Sequence, residues 1–201
     1  MAPDIDIVIP TVLPKRSAEL SALLSQLGGW SVRVEVHEPG APPWARVERI
    51  FGAARGEWLV QFEDDVTLAP GALDRIVEVV STTYPKRRAL YSFFSRWSIE
   101  PDSDAVGPSI VGPWPYGRFH MTQAIAMRSV DAGSFARWFP SWKAEHPEVK
   151  SGLGRALGAW AKWAHVDIFV HFPSLVQHLP VASTISRRPL NRQSPTFRGE
   201  P

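Results

Sequence analysis

Apolar positions along the chain recur in two alternating patterns, and their order predicts a layered α/β protein. Residues 6–10 form a short apolar run closed by Pro10, the mark of a buried strand. Leu20, Leu23, Leu24 and Leu27 then repeat at the spacing of one helix face, with Ser17 as the expected N-cap and Gly28 and Gly29 as the stop. Val32, Val34 and Val36 alternate as a second strand that ends at the turn residues Pro39 and Gly40. Val47, Ile50, Phe51 and Ala54 make another helical stripe, stopped at Gly56. Residues 57–62 read as a third strand, which runs directly into Glu63, Asp64 and Asp65. After Pro70 and Gly71, a helix is marked by Leu73, Ile76, Val77 and Val80.

The second half is less regular. Residues 89–94 and 122–127 read as strands, and Ser129 caps an expected helix that continues through Phe139. Between those strands, residues 95–119 are rich in proline and glycine and predict a long functional loop. Leu153, Ala156, Leu157 and Trp160 set the face of a last helix, ahead of a final strand at 166–170. Strand alternating with helix predicts one domain built on a mostly parallel central sheet with helices on both faces. In such sheets ligands gather at the carboxyl ends of the strands. Pro10, Thr11 and the acidic triplet all fall at such ends.

Composition narrows this only in places. A chain of 201 residues suits one α/β domain and is short for two. The absence of cysteine excludes disulfides, thiolate metal sites and cysteine nucleophiles. Residues 1–6 have no basic-then-apolar leader pattern, and no apolar run approaches a membrane span, so a cytoplasmic protein is expected. Nine tryptophans are many for this length and call for a role. Trp58 and Trp160 lie in periodic segments and belong in the core. Trp97 and Trp114 lie in the Pro/Gly-rich stretch, where exposed rings would suit the apolar faces of sugars. Arg187, Arg188, Arg192 and Arg198 make residues 187–201 a basic tail after a domain of residues 1–186. That tail is either a solvated terminus or a segment that meets phosphate, nucleic acid or an acidic partner.

Three consecutive carboxylates at the end of a buried strand repel one another, and a bound cation relieves the cost. Hard oxygen ligands select Mg²⁺ or Mn²⁺, which commonly bridge to substrate phosphates. A solvated acidic turn is the bland alternative. A lone histidine such as His178 is usually structural, but His178 follows a strand and is a candidate neutral imidazole ligand. His120, His165 and His171 have no comparable context and read as structural.

The segment WLVQFEDDVTLAPGALD at residues 58–74 resembles the acidic-motif region of glycosyltransferases with the GT-A fold. Its Glu-Asp-Asp form, followed by an apolar residue and later Ala-Pro, is similar to that of N-acetylglucosaminyltransferase I. IVIPT at 7–11 resembles the first strand of the large inverting family 2, and residues 45–60 the helix and strand that precede its acidic motif. PSLVQH at 173–178 resembles a C-terminal motif of small bacterial and phage transferases, and FRGE at 197–200 the ends of such phage-type proteins.

The resemblance implies a metal-dependent glycosyltransferase that uses a nucleotide diphosphate sugar, most often a UDP-sugar, with Mn²⁺ or Mg²⁺. It implies metal contact at Asp65 and His178. Glu63 and Asp64 then reach toward the ribose or metal-bound waters, Pro10 and Thr11 wall the base, Glu38 hydrogen-bonds it, and Arg46 faces the nucleotide. For Arg46 a solvated helix cation is an equal alternative. An inverting enzyme also needs a carboxylate to deprotonate the acceptor. The family carries it near the start of the helix before the final strand, where this chain has KSGLG at 150–154 and no acid. Glu145 and Glu148, just upstream, are the nearest substitutes, with Asp131 third.

Two other classes compete. A sugar nucleotidyltransferase needs a Gly-rich loop after the first strand, and residues 11–15 contain no glycine. A non-catalytic carbohydrate- or nucleic-acid-binding module explains the tryptophans and the tail, but leaves the triplet and His178 without a purpose. The acceptor is open among a protein side chain, a glycan, a lipid and a modified DNA base. In lookalikes a C-terminal segment folds over the nucleotide, which gives the basic tail a place at the donor site.

Overall fold

A computed structural model describes residues 3–38, 46–82, 88–96, 109–111, 113–149, 152–181 and 193–199. Nine strands and four α-helices follow one another among these residues. They are β1 Ile5–Thr11, α1 Ser17–Leu27, β2 Val32–Val36, β3 Trp58–Phe62, β4 Val66–Leu68, α2 Ala72–Thr82 and β5 Ala89–Ser92. Then come β6 Ser109–Val111, β7 Ala124–Arg128, α3 Ser129–Glu145, α4 Leu153–Ala164, β8 Asp167–Phe172 and β9 Val176–His178.

Seven strands form one sheet in the order β2-β1-β3-β7-β5-β8-β6. β1 runs parallel to β2 and β3, and β5 runs parallel to β8. β7 is antiparallel to both β3 and β5, so the five strands β2, β1, β3, β5 and β8 share one direction. The expected α/β class with a mostly parallel sheet flanked by helices is therefore the fold observed. The burial of β3 explains its largely apolar sequence: every residue from Trp58 to Phe62, the polar Gln61 included, is buried.

Helix stripes predicted from spacing pack as expected, with local differences. Leu20, Leu23 and Leu27 are buried in α1 while Leu24, the fourth residue of the predicted stripe, is exposed; α1 begins at Ser17 rather than being capped by it. The Ser17 hydroxyl instead donates to the Pro14 carbonyl. The stripe at Val47, Ile50 and Phe51 forms a single π-helical turn, Glu48–Gly52, with all three side chains buried. α3 continues past Phe139 to Glu145 through Pro140. Phe135 of α3 contacts Phe51 edge-on at 4.9 Å and Trp160 of α4 at 5.8 Å, which seals one flank of the sheet.

The described part of the stretch at 95–119 corrects the reading of a loop. It contains β6 at the sheet edge, paired with β8, and a 3₁₀ turn at Tyr116–Arg118. Trp114 is buried, its backbone N–H donating to the Ile168 carbonyl, so it belongs to the core rather than to a sugar platform. Trp97 lies outside the described residues. Trp58 and Trp160 are core residues as expected. α4 packs close against this stretch because Gly154 and Gly158 have no side chain. A Cβ on Gly154 would stand 2.8 Å from the His120 Cα, and one on Gly158 would strike the Tyr116 carbonyl. Among the described residues no helix is long and apolar enough to cross a membrane.

Candidate functional site

The acidic triplet leaves the carboxyl end of β3, beside the end of β1, where Thr11 is fully buried. The chain then turns into β4, whose three residues pair antiparallel with β9, with Val66 opposite His178. This small two-stranded sheet brings the C-terminal histidine to the triplet. Gln26 of α1 grips β4, its Nε2 donating to Thr67 Oγ1 at 3.0 Å and its Oε1 accepting from Leu68 N at 2.8 Å. Leu179 N donates to the Asp65 carbonyl at 2.8 Å, and Ala69 N to the Leu175 carbonyl at 2.9 Å. The backbone on both sides of His178 is thereby fastened to the acidic turn.

Glu63, Asp65 and His178 each point one ligand atom into the same space, all within 4.8 Å of one another. His178 Nδ1 donates to the Leu179 carbonyl at 2.7 Å, which turns Nε2 toward Asp65 Oδ2 at 3.4 Å. In the neutral ring Nε2 keeps a lone pair that a metal ion can take. Asp65 Oδ1 is also buried and makes no hydrogen bond, a costly state that a metal ligand relieves. Glu63 is oriented by its neighbours, since Thr122 Oγ1 donates to Oε1 at 2.7 Å and Gln123 Nε2 to Oε2 at 3.5 Å. Two carboxylates and one imidazole so placed could hold a metal ion.

Asp64 stands beside the cluster with its carboxyl held above the usual range. Burial is the main cause and the Asp65 charge adds to it, while Thr11, Arg16 and the Val12 backbone favour the charged form. Arg46 is pushed down by burial, against the pull of Asp64 and Glu63. It therefore sits within the field of the acidic turn rather than on a solvated helix face. Pro10 and Thr11 are buried at the end of β1, and β2 ends level with them, since Thr11 pairs with Val36. His37 N donates to the Thr11 carbonyl at 2.7 Å, and Glu38 follows it, exposed.

Two buried residues escaped the sequence reading. Arg16, buried in the turn before α1, places Nη2 at 3.1 Å from Asp65 Oδ2 and Nε at 3.9 Å from Asp64 Oδ1. His37, also buried, lies where the base wall was expected. Neither has a local signal beyond closeness to the end of a predicted strand.

The candidate bases remain apart from this geometry. Glu145 is exposed at the end of α3, and Glu148 is exposed and pairs with His146 at 3.6 Å. Asp131 is buried and held by Arg88 at 2.8 Å, which also donates to the Ala164 carbonyl. Lys150 and Ser151 lie outside the described residues. His171 is a structural residue as expected: Nδ1 donates to the Pro173 carbonyl and Nε2 accepts from Arg75. Burial, with Arg75 adding to it, lowers its pKa to about 4.

Of the basic tail, residues 193–199 are described, while Arg187, Arg188 and Arg192 lie outside the described residues. Ser194 exchanges hydrogen bonds with Gln177 and donates to Ser174 Oγ at 2.6 Å, and Ser174 N donates to Thr196 Oγ1 at 3.1 Å. The end of the chain is thus tied to the segment that carries His178.

No family model matches the chain. No curated protein matches it either. Solved structures do match. A glycosyltransferase involved in glycosylation of the major capsid of PBCV-1 superposes with a TM-score of 0.53 at 15% identity, covering 90% of this chain and 95% of that one. S. aureus TarS 1–349 superposes with a TM-score of 0.55 at 12% identity, covering 88% of this chain. This chain spans 60% of that second structure. At these identities the likeness is one of fold.

Proposed function

We propose that this chain is a metal-dependent glycosyltransferase that moves a sugar from a nucleotide diphosphate sugar, most simply a UDP-sugar, to an acceptor. The observation that carries the proposal is the convergence of Glu63, Asp65 and His178 at the carboxyl end of β3, each offering one ligand atom within 4.8 Å of the others, with Asp65 Oδ1 buried and without a hydrogen bond. Glu63 joins the metal ligands in this reading, rather than reaching for the ribose. A divalent cation bound there neutralises charge that grows on the departing diphosphate.

The remaining side chains divide the nucleotide among them. Pro10 and Thr11 wall the base, Glu38 accepts from it, and Asp64, with Arg46 nearby, faces the ribose and phosphates. An inverting transfer requires a base, and the candidates are Glu145, the last residue of α3, and Glu148, on the segment between α3 and α4. The tail, fastened to β9, closes over the donor. The acceptor class is open among protein, glycan and modified DNA base.

Calorimetry with UDP in the presence and absence of Mn²⁺ tests the core of this. The expected result is nucleotide binding that requires the metal, followed by slow hydrolysis of the matching donor in a panel of nucleotide sugars. Nucleotide affinity indifferent to metal would refute the assignment and favour a non-catalytic carbohydrate-binding module.

A further inference from the structure

Arg16 is a permanent cation built into the acidic cluster, and its position has a consequence for how the metal binds. Its side chain is 4% exposed and reaches Asp65 at 3.1 Å, Asp64 at 3.9 Å and Glu19 at 3.3 Å. Burying a guanidinium is costly unless carboxylates surround it. Here the carboxylates that compensate it include Asp65, which also faces His178. An incoming divalent cation therefore meets a carboxylate already engaged by a positive charge that cannot leave by deprotonation.

The charge count makes the effect concrete. Glu19, Glu63, Asp64 and Asp65 supply four negative charges when ionised, and Arg16 and Arg46 supply two positive ones within the same field. Arg16 thus offsets part of the charge that draws a divalent ion, and it already holds Asp65 Oδ2, the oxygen that faces His178. A diphosphate arriving with the metal brings further negative charge to the same place. We propose that Arg16 is a positioning residue that makes cation and donor diphosphate bind cooperatively, by suppressing metal binding to the empty site. This rests on the metal site proposed above.

The test measures Mn²⁺ affinity with and without UDP, by calorimetry and by electron paramagnetic resonance of free Mn²⁺. In the unmodified protein UDP should tighten Mn²⁺ by about tenfold or more, the lower end of what a unit charge at this separation moves an ionic equilibrium. Arg16→Gln should bind Mn²⁺ alone about tenfold more tightly, with a smaller gain on adding UDP. Arg16→Lys, which keeps the charge, should behave like the unmodified protein. An arginine that merely held the fold would give the opposite, because loosening Asp65 weakens the metal site. Arg16→Gln that melts as a folded protein but binds Mn²⁺ no more tightly would overturn the proposal. So would Mn²⁺ binding in the unmodified protein that is indifferent to UDP, a result that needs no variant. If Mn²⁺ fails to bind even with UDP present, the metal site itself is wrong and the inference falls with it.

Discussion

His171 offers a prediction whose size follows from the structure. It lies on β8, 4% exposed, with its Nδ1–H spent on the Pro173 carbonyl and Nε2 accepting from Arg75. Burial, reinforced by the Arg75 charge, lowers its pKa from 6.5 to about 4, against the opposing pull of the Pro173 carbonyl and Glu78. Above pH 6.5 the ring is neutral in both folded and unfolded chains and costs nothing. As the pH falls from 6.5 toward 4 the unfolded chain takes a proton that the folded one refuses, so stability is lost across that window. Below about 4 both are protonated and the loss stops growing. At about 1.4 kcal/mol per pH unit the full penalty is about 3 kcal/mol. Urea unfolding at a series of pH values, compared between the unmodified protein and His171→Gln, isolates this group from the carboxylates that titrate in both. The stability difference between the two should shift by about 3 kcal/mol in favour of the variant between pH 7 and pH 4. Parallel curves would refute the reasoning and show that the ring charges inside the fold without penalty. The consequence reaches the site, because the Pro173 carbonyl begins the segment that carries His178 to Asp65.

Further predictions concern the site itself. Asp65→Asn should abolish Mn²⁺-dependent UDP binding and also lower the melting temperature, because Arg16 loses its nearest partner while keeping Asp64 and Glu19. A loss of about 1–3 kcal/mol is expected, short of the cost of a fully orphaned buried charge; a higher melting temperature would mean that carboxylate repulsion outweighs the Arg16 pair. His178→Ala should keep the fold, since the β4–β9 pairing is made by backbone, yet weaken Mn²⁺ by about tenfold or more. Unchanged metal affinity would place the imidazole outside the metal shell. Glu145→Gln and Glu148→Gln should each bind donor normally, and one should lose about 10²- to 10⁴-fold in transfer; full activity in both would send the base elsewhere. Truncation after Ser186 removes the Ser194 and Thr196 bonds to the β9 segment and should weaken donor binding, with only weak, salt-labile DNA binding in the full chain. Tight duplex binding that the truncation removes, with donor affinity unchanged, would make nucleic acid the leading acceptor.

The sequence by itself determined the elements with enough length to show a period. The stripes of α1, α2 and α4, the buried runs of β1 and β3, and an acidic triplet at a strand's carboxyl end were legible, because each records which face is hidden from water. Which element hides that face is not recorded. Thus β7, readable as a strand, gave no sign that it enters antiparallel between β3 and β5. Strands of three residues such as β4 and β9 carry no usable period, yet their pairing is what sets His178 against Asp65. Trp114 looked exposed because proline and glycine flank it, and tertiary packing beside β8 buried it. Arg16 reads as one basic residue among many, and only the fold of the turn before α1 turns it inward. The site is assembled from several separate stretches of chain, and the free energy that joins them comes from backbone pairing and charge compensation between distant residues. Neither leaves a local pattern, so the acidic triplet and His178 were visible in the sequence, while the pairing that joins them and the inward turn of Arg16 were decided by the tertiary structure.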